Sequence, residues 1–313
     1  MNKAVYILLC FGFLSSCNTI NGAKKFRDKI KSFVDTIKGY KYEESKQKEL
    51  STVSINTVSI TNINGPITIK TGWKKSSLFL KTTRRAKKEE DLNNIKIIHS
   101  IQNNHLTITT KHINPKLVGL VEYELIVPAS LDITLAISGN GDVCIKDVSG
   151  AINVVTNDNI TISNTSNMVS ARTLKKGSIT INNALGPIEA HTHWGNIFAH
   201  NIAHSFSADS ISGKVQVTYK TLPSTSAVDV KTTSGHIMLA LPTDNNAEIR
   251  GHTMHGTLIS DHYITLKPYA TQLNNMAWTK FKKEVDGTIG SGEATIALHS
   301  INGNLKITEV KTT

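Results

Sequence analysis

The chain has 313 residues and a formal net charge of +11; aromatic residues make up 6% and charged residues 19%. Length alone leaves one elongated domain or two ordinary ones open. The composition, rich in Ser, Thr, Asn, Ile and Val, favours β structure over a helical bundle.

The first element is a leader. "MNKAVYILLCFGFLSSC" has Lys3, an apolar run from Ala4 to Leu14, and then "LSSC", the order of charged, apolar and small-residue regions in an export signal. The run is too short for a stable membrane span. Its end resembles the lipobox of bacterial lipoprotein signal peptides, which implies cleavage after Ser16 and lipid attachment at Cys17. An ordinary signal peptide or a buried helix is the plainer alternative. Residues 1–16 are thus read as leader. With Cys10 removed and Cys17 acylated, Cys144 is expected to remain as a lone thiol in the strand "DVCIK", without chemistry.

Residues 17–50 read as a lipidated basic tether with helical potential. Lys24, Lys25, Arg27, Lys29, Lys31 and Lys38 accompany Phe26, Ile30, Phe33 and Ile37 at helical spacing. Such a segment is either a solvated tether or a second membrane contact, since acyl chains and nearby cations act additively. Nucleic acid is excluded as a partner, because no recognition helix or aromatic RNA-binding pattern is present.

Residues 51–135 contain short strand patterns ("GPITIK", "SLFLKT", "LTITT", "YELIVP") and the polar helical stretch "AKKEEDLNN". They are expected to form a β-rich cap over one open end.

From 136 to 313 a repeat dominates. Gly141, Gly150, Asp158, Asn167, Gly177, Gly186, Gly195, His204 and Gly213 recur at a mean of nine residues. The second and fourth residues after each, such as Ile179 and Ile181 after Gly177, are always apolar. Alternation with one dry face means strands. Translational repetition in constant phase means stacked coils and not hairpins. The fold expected is all-β, a parallel β-helix or β-solenoid with about nine residues per rung and two rungs per coil. Positive φ at tight corners is the expected reason for the leading glycines. Residues 261–286, with Trp278 and Phe281, read as an insertion, and the basic ending "KITEVKTT" as a blocker of the last coil's edge.

The motifs "NINGPITIKTGW", "VEYELIVPASLDITLAISGNGDV", "SGHIMLALP" and "IGSGEATIALHSINGNLKI", in this order over residues 51–310, resemble the adhesin families known as DUF4097 and head GIN domain. The resemblance implies a β-helical domain of bacterial envelope proteins with no established catalytic residue.

Chemistry is expected to be lacking. Glycan cleavage needs two carboxylates facing one bond, and at the outward rung positions only Asp142 and Glu189 are acidic. The histidine groups His191/His193, His200/His204 and His252/His255 lack cysteine partners and have few carboxylates nearby, which argues against a metal site. There is no Ser-His-acid signature, phosphate loop or dinucleotide fingerprint. The expectation is a monomeric, non-catalytic lipoprotein at the bacterial outer membrane or cell surface, with no cofactor, anchored at Cys17 and interacting with an envelope glycan or protein. Asn18, which is not Asp, favours outer-membrane sorting. A glycan-processing β-helix enzyme is the alternative.

Overall fold

The computed structural model describes residues 39–52, 55–72, 77–117, 119–267 and 283–310. The leader, Cys17 and most of the tether lie outside the described residues, as do Trp278 and Phe281.

Strands β1 (Tyr42–Ser51), β2 (Thr57–Asn62), β3 (Ile67–Thr71) and β4 (Ser77–Ala86) precede a short 3-10 helix at Glu90–Asn94; β5 (Ile95–Gln102), β6 (His105–His112) and β7 (Leu120–Val127) follow it. The regular run comprises β8 (Asp132–Ile137), β9 (Val143–Lys146), β10 (Ile152–Thr156), β11 (Ile160–Thr165), β12 (Val169–Thr173), β13 (Ile179–Ala184), β14 (Ile188–Thr192), β15 (Ile197–Ile202), β16 (Phe206–Ser210), β17 (Val215–Tyr219), β18 (Ala227–Thr232) and β19 (Ile237–Leu241). The chain closes with β20 (Ala247–Thr253), β21 (Leu258–Ser260), β22 (Thr265–Leu266), β23 (Glu284–Ile289), β24 (Ala294–Ser300) and β25 (Leu305–Glu309).

These strands form two sheets. Sheet A runs β1-β4-β7-β3-β9-β11-β13-β15-β17-β19-β25-β21, and sheet B runs β22-β23-β20-β24-β18-β16-β14-β12-β10-β8-β2-β6-β5. Each coil takes one strand from each sheet. Register partners Ile152↔Val169, Val169↔Ile188 and Ile188↔Phe206 are 17, 19 and 18 residues apart, so two nine-residue rungs make a turn. The protein is a parallel β-solenoid. Its core is the inward column expected from the repeat, and all eighteen inward residues from Val143 to Val217 are buried.

The ends depart from the expected layout. Residues 42–50 are strand and not tether, because β1 pairs antiparallel with β4 over its whole length. The ladder also begins before residue 136. The β2–β3 coil lies between the β6–β7 and β8–β9 coils, while β1 and β4 on sheet A and β5 on sheet B supply the antiparallel cap. The far end is interleaved in the same way. The β24–β25 coil inserts between β18–β19 and β20–β21, so the basic C-terminal stretch is not the last edge. Within the expected insertion, β22 and β23 extend sheet B antiparallel beyond β20.

The two corners are built differently. Where sheet B passes to sheet A, the glycines stack on one another. A Cβ on Gly195 would lie 1.8 Å from the Gly177 carbonyl oxygen, on Gly213 1.9 Å from that of Gly195, and on Gly303 1.7 Å from that of Gly235. Close backbone approach, and not positive φ, is therefore the main reason for glycine here; of this stack only Gly65 and Gly213 have positive φ. Buried hydroxyls line the stack from inside: Thr156 Oγ1 donates to the Gly141 carbonyl (2.9 Å) and Thr253 Oγ1 to that of Gly303 (2.7 Å). At the opposite corner Asp147, Asn164, Asn183 and Asn201 occupy left-handed backbone (φ 55–61°). Asn164 donates to Asp147, Asn183 to Asn164 and Asn201 to Asn183 at 2.6, 2.8 and 3.1 Å, a ladder of amides running up the rod. Asparagine tolerates this conformation best among residues with a side chain.

Candidate interaction faces

Alternation along each strand leaves two flat outer faces. On sheet B, register aligns Ser170, Glu189, Ser207 and Asp229 in one row and Arg172, His191, Asp209, Lys231, His299 and His252 in the next. Lys231 Nζ donates to Asp229 at 2.7 Å, which raises the Lys231 pKa. The expectation that Asp142 and Glu189 are the only outward acids is corrected here. Asp209 and Asp229 share the Glu189 face; Asp209 is the fifth residue after His204 and Asp229 lies beyond the Gly213 rung, so neither is a first or third rung position. Glu189 and Asp229 stand two strand spacings apart, roughly 10 Å.

The outer face of sheet A carries Cys144, Thr161, Thr180, Phe198 and Gln216 across successive coils. Cys144 is half-buried; the chain's other two cysteines, on which the expectation of a lone thiol turns, lie outside the described residues. Phe198 and His200 stack with ring centroids 6.4 Å apart, and burial lowers the His200 pKa.

The histidine pairs of the sequence separate in space. His191 projects from β14, whereas His193 sits past the strand end at the glycine corner, beside Trp194. His204 lies at the amide corner, its Nδ1 accepting from Ser205 N–H at 2.8 Å. His252 instead meets His299 across strands, with ring centroids 5.5 Å apart, a pairing of residues too distant in sequence to notice. Among the described residues, no cluster of three His, Cys, Asp or Glu side chains could hold a metal ion. A shallow, open depression is lined by Lys88, Glu89, Glu90 and Asn93.

The glycine corner forms a third surface, a long edge. Its backbone is bonded coil to coil: Trp194 N–H donates to Lys175 O (3.3 Å), Ile211 N–H to Thr192 O (3.3 Å) and Met254 N–H to Ser300 O (3.2 Å). Leu174, Trp194, Ile211 and Met254 are exposed along it.

Asp158 takes a glycine's place in this corner. Its Oδ2 accepts from Gly141 N–H at 2.7 Å. Burial, followed by repulsion from Asp142, raises its pKa, against the opposing effects of that hydrogen bond and of Lys175. A carboxyl with a raised folded pKa stabilises the protein in its protonated form, and this contribution is lost as pH rises through the folded pKa. Asp158→Asn should therefore gain stability relative to the native chain as pH rises from about 3 to 7. Urea unfolding across that range checks this; parallel pH profiles would contradict it.

No family model matches the chain, so the likeness of its motifs to DUF4097 and head GIN domains has no family-level match behind it, and no curated protein matches either. Similar solved structures include a "putative adhesin" from Bacteroides fragilis NCTC 9343, with TM-score 0.46 and 13% identity over 85% of this chain and 97% of that one. A "putative lipid binding protein" from Parabacteroides distasonis ATCC 8503 has TM-score 0.46 and 14% identity over 86% and 97%. A "putative cell adhesion protein" from Clostridium sporogenes ATCC 15579 has TM-score 0.27 and 10% identity over 86% and 100%. The solenoid assignment stands on the strand ladder itself.

Proposed function

We propose that this protein is a non-catalytic, lipid-anchored interaction module of the bacterial envelope, an adhesin-type rod attached through Cys17. The observation that supports it is the contrast between core and faces. The interior is a continuous apolar column, while the sheet B face presents Ser170, Glu189, Ser207, Asp209 and Asp229 in strand register. A rigid flat array of hydroxyls, carboxylates and cations suits a repeating polar ligand such as a glycan chain, or a protein of matching charge.

The alignment of Glu189, Asp209 and Asp229 favours one second reading, glycan cleavage. Inverting enzymes hold two carboxyls about 6.5–9.5 Å apart, and these residues stand on neighbouring coils.

The reading is tested in two arms. Cys17→Ser should leave the precursor uncleaved or release the protein from the membrane fraction; unchanged fractionation without acyl label would remove the anchor. Residues 39–313, which include β1, are then screened against envelope glycans and proteins. Saturable binding lost on Glu189→Ala/Asp229→Ala supports the module, whereas product release abolished by Asp209→Asn would establish the enzyme.

A further inference from the structure

We infer that the glycine-corner edge is a membrane-contact surface that lies against an anionic phospholipid headgroup layer. This rests on the reading of the protein as envelope-anchored and says which side of the rod faces the bilayer. Three observations carry it.

The first is where exposed apolar side chains stand. Leu174, Trp194, Ile211 and Met254 lie on this one edge, Trp194 at 55% and Met254 at 53% exposure, and Ile113 and Leu117 continue it at the first coil. The opposite, amide-ladder corner carries Met168, Leu185 and, between β21 and β22, Tyr263 among the described exposed large apolar residues. From the coil of Leu174 to that of Met254 is five strand spacings, roughly 24 Å. Coil-to-coil hydrogen bonds hold these positions in line. A row of single apolar side chains with one Trp suits the headgroup boundary, where an amphipathic indole is favoured.

The second is charge. The described residues hold 23 Lys and Arg against 22 Asp and Glu, so the rod itself is almost neutral although the chain is at +11. Lys175 and Lys176 are nonetheless exposed beside Leu174 and Trp194. The acids on this edge include Asp158, which accepts from Gly141 N–H, Asp142, which accepts from Asn159, Glu284 at the start of β23, and Glu89, Glu90 and Asp91 of the mixed cluster near the first coil.

The third is where the chain enters. β1 begins at Tyr42 opposite Ala86, next to Arg85, which pairs with Leu120 at the start of β7. That places Gly39 on the glycine-corner edge, six strand spacings or roughly 29 Å along the rod from Leu174. The 22 positions from Cys17 to Gly39 span up to about 75 Å when extended, which is ample for a rod lying on its edge at the surface that holds Cys17.

The test uses the chain from Asn18 onward, which contains every described residue and has neither leader nor acyl group, in flotation with phosphatidylcholine vesicles with and without phosphatidylglycerol. Binding to the anionic vesicles is expected, weakened roughly tenfold by Leu174→Ser/Trp194→Ser and by Lys175→Glu/Lys176→Glu. These side chains are exposed, and an unchanged melting profile confirms that the variants fold. Equal binding of native and variant chains would assign the contact to the tether and overturn the inference. So would failure to bind either vesicle, including the case where the same variants abolish cross-linking to an envelope protein. Because no acyl group is present, these outcomes are independent of whether Cys17 carries lipid.

Discussion

Replacing Ile179 with aspartate is expected to cost about 4 kcal/mol or more, enough to unfold much of the rod, while Thr180→Asp next to it stays within about 0.5 kcal/mol. Ile179 is fully buried and stacks in register between Ile160 and Ile197. A carboxylate there has no polar partner and leaves a gap in the apolar column. Thr180 faces outward between Thr161 and Phe198, where a charge remains solvated. Thermal melts of the two variants compare the sites directly; equal losses would contradict the inward and outward assignment.

Gly195→Ala is the second large effect. The new Cβ would meet the Gly177 carbonyl oxygen at 1.8 Å and Thr192 Oγ1 at 2.9 Å. The carbonyl is backbone of the next coil and cannot swing aside, so two coils must separate locally. A loss of about 2–4 kcal/mol is expected, at the upper end for one added methyl. Gly39→Ala is the control, since nothing lies within 4 Å of its added Cβ. Denaturant midpoints measure both, and a neutral Gly195→Ala would show that the corner is loose.

Legibility followed the range of the interaction. The inward positions of the rungs were readable from Gly141 to Gly213 because burial repeats at fixed offsets along the chain. The corner glycines were visible, yet their cause was not, since it depends on the neighbouring coil's carbonyl. Asp147, Asn164, Asn183 and Asn201 escaped notice for a related reason: each adds one left-handed residue just after the second inward position, and only the stacked structure shows them in one column. β1 was missed because "YEESKQKELS" lacks apolar alternation; Glu43 and Glu44 are instead held by Arg85 and Arg84. Of the candidate faces, Glu189 was visible, whereas Asp209 and Asp229 joined it only through sheet register. Cys17 lies outside the described residues.

The interleaved ends bear on how such a rod can change length. In an open solenoid the outermost repeat is also the newest in the chain, so duplication or loss at a terminus adds or trims a coil without disturbing the others. Here the β24–β25 coil, which follows β20 and β21 in the chain, is a keystone: among the described residues β20 and β21 reach the ladder only through it. A chain cut short after Gly290 would lose an interior layer, not a tip. Growth and shrinkage are thereby confined to the coils between β8 and β19, and the described rod cannot be completed until β24 and β25 have been made.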